Sequence, residues 1–374
     1  MTGFFVFTMD QGIGGHYYSL DAISRTFENF KVVIIGYSEP RIDFENAFFI
    51  DLKTNGIYQA IQKAKDQVSD CSIYHCFDEH SYFFARIISL IQQVPVVLTK
   101  CGGKPLRYYP KATTTVFSVE DVEHFSRNNR KVELIPNRIG VLELKQKLPN
   151  EIQKEKITSI VNDRLCIMCI ARIGSRYRAK IESSLEFCAM MNKDQETCLI
   201  IIGSIESPEI IADLKLMASD LGLDKSVSFF TDKNITKDAS QYLSLCDLAI
   251  GTGRGAMEAM ILGKITLCPI ATSKLPVLVD QQTFEELFRT NFSGRSSIIE
   301  NEACSKKNIM HSLSHDSNVR RFYRTITKTY FDVEGAKDKY QRIYKSARKE
   351  SIFSFFDIVA NGLYLKYIQR QKLK

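Results

Sequence analysis

The stretch DLAIGTGRGAMEAMILG, Asp247 to Gly263, decides how this chain reads. Leu248, Ala249 and Ile250 run straight into Gly251, Thr252, Gly253, Arg254 and Gly255, and an alanine- and methionine-rich run with a single acid, Glu258, follows. The pattern predicts a buried strand, a glycine turn and a helix opened by that turn. The first turn of a helix carries backbone N–H groups without partners and a partial positive charge. Glycines let the backbone approach an anion closely, and Arg254 adds a fixed cation, so the segment has the makings of a diphosphate cradle. Glu258 falls about one helical turn beyond Arg254, within reach of a neighbouring pair of hydroxyls such as a ribose. The same loop would also serve simply to pack a helix on a sheet.

The rest of the chain supplies the setting. Its 374 residues suffice for two ordinary domains, and 44% hydrophobic with 25% charged residues suits a soluble globular protein with a full core. No apolar run is long enough to span a bilayer, and the N-terminus MTGFFVFTMDQ lacks a basic lead-in and a cleavage site, so a cytoplasmic protein is expected. The ten cysteines fit that compartment as reduced thiols, and Cys198, Cys246 and Cys268 sit in apolar runs. Cys166 and Cys169 form a CxxC, but inside LCIMCIA, an expected buried strand with no second cysteine pair at finger spacing, so no metal is expected.

Working outward, apolar strands alternate with helices twice. The first series has GFFVFTM (3–9), the turn Asp10 to His16 with Gly12, Gly14 and Gly15, and a helix over 18–27. KVVIIGY (31–37), a helix over 57–68, SIYHCF (72–77), a helix over 83–91, PVVLTK (95–100), TTVFSV (114–119) and VELIPNRIG (132–140) complete it. Ser118 is placed to cap a helix begun by Glu120 and Asp121. The second series follows the polar stretch 144–156 with RLCIMCIA (164–171), TCLIIIG (197–203), SVSFF (226–230), DLAIG (247–251) and ITLCPI (265–270). Helices are expected over 179–191, 208–221, 235–245 and 255–262. Continuous apolar strands separated by helices mean parallel sheets covered on both faces. The reading is α/β: two tandem Rossmann-like doubly wound domains, with ligands at the carboxyl ends of the strands and a central cleft as the natural active site. The boundaries expected are 1–145 for an acceptor-side domain, 146–160 for a linker, 161–335 for a nucleotide-binding domain and 336–374 for basic C-terminal helices.

These motifs, in this order, resemble glycosyltransferases of the GT-B fold, and within them family 4 of the bacterial polysaccharide type. GIGGHYYSL resembles the N-terminal glycine loop near the reaction centre, and VELIPNRIG the strand end before the interdomain linker. CIARIGSRYRAKIESSLEF resembles the arginine and lysine pair after the first C-domain strand; LIIIGSIES, VSFFTDKN and CDLAIGTGRGAMEAMILGK resemble the segments that follow. The resemblance implies transfer of a hexose from a nucleotide diphosphate sugar, with retention, to a glycan or lipid-linked saccharide, and no cofactor. It implies Arg172, Lys180 and His16 as catalytic residues. It implies Gly14, Gly15, Gly203, Gly251, Thr252, Gly253, Arg254, Gly255 and Glu258 as donor-binding residues, with Glu258 on the ribose. C-terminal helices in this fold commonly pack back on the N-domain.

The chain has no D-x-D motif to hold a divalent metal, so charge on the departing diphosphate falls to fixed dipoles and cations, Arg172 and Lys180 among them. The family's lysine lies nearer its arginine than Lys180 lies to Arg172, which implies a small insertion; Arg176 and Arg178 are the other partners, with a solvated basic turn as their simpler role. Ile250 stands where the family often has a second glutamate. Lys100 to Gly103 stand where it usually offers a histidine, leaving His16, His75 and His80 as polar candidates. Tyr108 and Tyr109, after Arg107, suit either an acceptor groove or packing, and His311 with His315 suits a surface helix better than a metal site. The net charge of +7 is matched by the segment from Ala336 onward, with ten Lys or Arg against Asp338, Glu350 and Asp357. That basic end suits an anionic membrane surface; no nucleic-acid motif appears. A nucleotide-sugar epimerase and a non-catalytic sugar-nucleotide-binding subunit remain the alternatives.

Overall fold

The computed structural model describes residues 1–9, 14–103, 106, 108–128, 130, 132–298, 302–314, 317–348 and 354–372. The chain forms two compact units, Met1–Gly140 with Tyr330–Lys374, and Val141–Thr329.

The first unit is built on β1 (Thr2–Thr8), β2 (Phe30–Gly36), β3 (Ala47–Asp51), β4 (Ile73–Cys76), β5 (Val96–Lys100), β6 (Thr113–Val116) and β7 (Glu133–Leu134). They form one sheet in the order β3-β2-β1-β4-β5-β6-β7, and every pairing is parallel. Alternate side chains of β1 feed two cores: Phe5 and Phe7 pack with Val33, Tyr74 and Leu98, while Phe4 and Val6 pack with Val32, Ile34 and Val97. That alternation, apolar on both faces, is what a covered parallel sheet demands. The covering helices are α1 (Gly15–Ser24), α2 (Leu52–Gln67), α3 (Glu79–Gln92) and α4 (Val119–Ser126). The expected strand 132–140 contributes only two residues to the sheet, since Pro136 cannot donate to a ladder. Ile139 instead bridges to Asp332.

The second unit opens with α5 (Val141–Gln146) and α6 (Glu151–Val161), so most of the stretch expected as a linker is helical. Asn150 caps α6 by accepting from the Gln153 N–H at 3.3 Å, and Ile157 is buried in the core beside Cys166 and Cys198. The sheet then comprises β8 (Leu165–Ile170), β9 (Thr197–Ile202), β10 (Val227–Phe230), β11 (Leu248–Ile250), β12 (Ile265–Cys268) and β13 (Val277–Leu278), in the order β10-β9-β8-β11-β12-β13. Only β13 pairs antiparallel. Helices α7 (Arg178–Met191), α8 (Pro208–Asp220), α9 (Lys233–Thr236), α10 (Arg254–Ile261), α11 (Phe284–Arg289), α12 (Glu302–Ser314) and α13 (Ser317–Ile326) complete it. The single helix expected over 235–245 is divided between α9 and a 3₁₀ segment, Ala239–Leu245.

The chain then returns to the first unit. Phe331 is fully buried, α14 (Glu334–Ser346) inserts Ala336, Tyr340 and Ile343 into the core beside Ile135, and α15 (Ser354–Lys372) lies along α3.

Candidate functional site

In the second unit the chain runs from β8 outward to β9 and β10, then comes back to lay β11 against the other side of β8. The strand order reverses between β8 and β11, and the crevice outside their carboxyl ends is where an open α/β sheet takes its ligand. Arg172 follows β8 there, and Gly251 follows β11.

Backbone geometry shapes the glycine turn. The Gly251 N–H donates to the Leu267 carbonyl at 2.9 Å, and a Cβ at Gly251 would lie 2.7 Å from the Ala256 nitrogen, so the turn folds directly onto the first turn of α10. Gly253 has φ +53°, a left-handed conformation that favours glycine. Its N–H donates to the Phe292 carbonyl at 2.8 Å, so this group of the expected cradle is already used. Phe292 itself sits at φ +52° beside Asn291 at φ +56°, an uncommon conformation for a bulky residue that aims its carbonyl at Gly253. Gly255 is open, with nothing within 4 Å of a Cβ placed there. The N–H groups of Gly255 and Ala256 belong to the first turn, which has no intrahelical acceptor for them. At Gly203 a Cβ would lie 1.7 Å from the Ala171 carbonyl oxygen, so this glycine lets the ends of β8 and β9 touch.

Three cations and two carboxylates belong to the ends of β8 and β9 and the openings of α7 and α10. Arg172 donates to Glu206 at 2.6 Å and to the Tyr177 hydroxyl at 2.8 Å, with its guanidinium 4.9 Å from the Tyr177 ring centre. Lys180, in the first turn of α7, is buried and donates to the carbonyl of Ile170, the last residue of β8, at 2.7 Å. Its ammonium is thereby held at the carboxyl edge of the sheet. Arg254 donates to Glu258 at 2.7 Å across one turn of α10, both half-buried. Arg178 pairs with Glu182 at 2.7 Å and Asp213 at 2.8 Å on the outside of α7, and Arg176 is exposed. Glu206, Tyr177 and Asn291 were not singled out in the sequence. Glu206 lies within the quoted LIIIGSIES, and an acid three residues after a strand-ending glycine was the available signal.

In the first unit the order reverses between β1 and β4. Gly12 and Ile13 of the expected glycine loop lie outside the described residues. Gly14 is extended at the N-cap of α1, and a Cβ there would meet the His16 ring at 2.6 Å. His16 is half-buried, its ring centre 4.1 Å from that of Tyr17, and loss of hydration pushes its pKa down to about 4. Its imidazole is therefore neutral near pH 7 and can accept a hydrogen bond. Asp78, just beyond β4, accepts from the N–H groups of Phe7 at 2.8 Å and Ser81 at 2.6 Å. Burial, the largest influence, pushes its carboxyl up to about 7 against those hydrogen bonds.

Burial or packing holds several other candidates. His75 is fully buried in β4, hydrogen-bonded to Tyr344 at 2.7 Å and Thr99 at 2.6 Å, with burial lowering its pKa to about 3. His80 stacks on Phe7. Lys100 forms a buried ion pair with Asp121 at 3.1 Å, and Ser118 caps α4 by accepting from the Asp121 N–H. Tyr108 is buried and donates to Asp357, and Tyr109 stacks on His124, so packing accounts for both. His315 lies outside the described residues and His311 is exposed. Cys166 and Cys169 point to opposite faces of β8 and belong to different cores.

No protein-family model matches this sequence, and no curated protein sequence does. Solved structures do match in fold. HepE from Anabaena in complex with UDP superimposes with TM-score 0.64 at 14% identity, over 92% of this chain and 100% of that one. A glycosyltransferase from Rickettsia africae gives 0.65 at 14% identity, over 92% and 97%. Sucrose-phosphate synthase from Thermosynechococcus elongatus gives 0.58 at 14%, over 92% and 98%. The chain has the GT-B fold, two α/β units built on parallel sheets.

Proposed function

We propose that this chain is a glycosyltransferase that moves a hexose from a nucleotide diphosphate sugar to a saccharide or lipid-linked acceptor, with retention and without a metal. The observation that supports the proposal is the strand order: Arg172 follows β8, Gly251 follows β11, and Lys180 is tied to the last residue of β8. Breaking the bond between the sugar and its diphosphate leaves the electron pair on a phosphate oxygen. The buried Lys180 ammonium, the Arg172 guanidinium and the N–H groups of Gly255 and Ala256 are oriented before that charge develops, which is how fixed groups stabilise a transition state. Glu258, held by Arg254, is assigned to the donor ribose, and Gly14, Gly15 and His16 to the donor phosphate or acceptor. UDP is the nucleotide favoured, because HepE is described in complex with UDP and with UDP-glucose. No helix among the described residues is long and apolar enough to cross a membrane, and the basic C-terminal segment is assigned to the face of an anionic membrane in the cytoplasm.

The second reading is a binding subunit without turnover, favoured by Ile250 where a sugar-contacting carboxylate is expected. Incubation with a panel of nucleotide sugars, with and without a lipid-linked acceptor, decides the matter. The proposal predicts acceptor-dependent release of free nucleotide. A new sugar nucleotide would mean an epimerase, and binding without release a subunit that only holds the donor.

A further inference from the structure

Helix α15 packs Tyr364 on Tyr108 yet turns an apolar stripe outward. It buries its polar residues Asp357 and Asn361, 2% and 0% exposed, against the first unit. Asp357 accepts from Arg86 at 3.0 Å, from the Tyr82 hydroxyl at 2.5 Å and from Tyr108, and Asn361 donates to the Glu79 carbonyl at 3.3 Å. These contacts fix the rotation of the helix. They leave Phe355, Phe356, Val359 and Leu363 facing outward at 59%, 65%, 44% and 64% exposure. The spacing puts those four side chains on one face, the reverse of an ordinary surface helix, which turns its apolar stripe inward. Beside Phe356 and Leu363 opens a cavity of about 750 Å³ walled by Tyr108, Tyr109, Ala360 and Tyr364, with Lys111 and the hydrogen-bonded Asp357 also in its lining.

We propose that this face of α15 docks on an anionic phospholipid bilayer, with Phe355, Phe356, Val359 and Leu363 among the acyl chains and a chain end entering the adjoining cavity. Charge selects the occupant. The exposed Lys366 continues the same face beyond Leu363, and Lys111 lines the adjoining cavity. An apolar stripe flanked by cations fits the interface of anionic lipid, and so does a helix that lies on the membrane rather than crossing it. The proposal extends the reading that the acceptor is met at a membrane, and it is tested separately from donor binding.

The full chain is sedimented with vesicles of phosphatidylcholine alone and with phosphatidylcholine mixed with phosphatidylglycerol. Binding is expected to the mixed vesicles, weakening with salt and in Lys366→Glu, and about tenfold weaker in Phe356→Ser combined with Leu363→Ser. Because the chain has no tryptophan, Val359→Trp provides a single reporter, which brominated lipid should quench. Equal binding to neutral vesicles, undiminished binding by the double variant, or an unquenched reporter would each overturn the proposal. So would a dimer of the parent that the double variant dissociates, since the face would then join two copies. The double variant should keep the parent's affinity for UDP; a parent that binds vesicles but not UDP would refute the donor reading alone.

Discussion

Lys180 and Arg172 reach the same sheet edge by different routes, and the difference bears on catalysis. Lys180 is fixed by burial and by the Ile170 carbonyl, whereas Arg172 is half-exposed and held by Glu206 and Tyr177. If both neutralise the departing diphosphate, their effect is greatest in the transition state. Alanine at either position should then lower kcat by roughly 10²–10³-fold with a smaller change in donor affinity. Alanine at Arg176 or Arg178 should leave rates near the parent's, because Arg178 is engaged by Glu182 and Asp213 on the helix exterior. Steady-state kinetics of the four variants would tell; a normal Lys180→Ala beside a crippled Arg176→Ala would refute the assignment.

The titratable residues of the first unit make a prediction of opposite signs. His75 stays neutral in the folded chain down to about 3, so its contribution to stability is present above about 6.5 and is lost as pH falls toward 3. His16 behaves alike down to about 4. Asp78, raised from 3.8 to about 7, keeps its proton in the folded chain where the unfolded chain has lost it. Its contribution is present below about 4 and is lost as pH rises to about 7, opposing the histidines. In urea unfolding across that window, Asp78→Asn should lose stability on acidification more steeply than the parent. Parallel curves would show that Asp78 ionises normally.

Among the elements, the glycines separate into two kinds that sequence alone could not distinguish. Gly203 and Gly251 occupy places where backbone approaches backbone, so alanine at either should destabilise the fold by about 1–3 kcal/mol. Gly255 faces open space at a helix N-terminus, so Gly255→Ala should fold as well as the parent yet weaken UDP binding, because the added methyl intrudes where the diphosphate is proposed to lie. Thermal unfolding and calorimetry separate these effects; undiminished UDP affinity in Gly255→Ala would argue against that placement. Buried strands were legible because β1, β8 and β9 are apolar on both faces. The edge strand β3 was missed because Ala47 and Phe48 are exposed and its pattern is weak; β13 was missed because it has two residues. The polar stretch before β8 concealed α6, whose only fully buried side chain is Ile157. At the site, the glycine turn and basic residues were legible as local pattern. Glu206 and the Asn291–Phe292 pair were not, because Glu206 meets Arg172, and the pair meets Gly253, only through tertiary contact.

In the whole molecule, the proposed chemistry is tied to the fold at one place, the β8/β11 reversal. The GT-B fold is shared with HepE and with sucrose-phosphate synthase at 14% identity, so likeness of fold cannot itself assign the residues of this chain. What assigns them is where ligand contacts fall. The direct measurement is amide hydrogen exchange of the full chain with and without UDP, in excess chelator. Slower exchange is expected at Gly255 and Ala256, at the opening of α10, together with protection around Arg172, and no requirement for a divalent metal. Unchanged exchange across 251–257 at saturating UDP, or protection there only after Mg²⁺ or Mn²⁺ is added, would contradict this expectation.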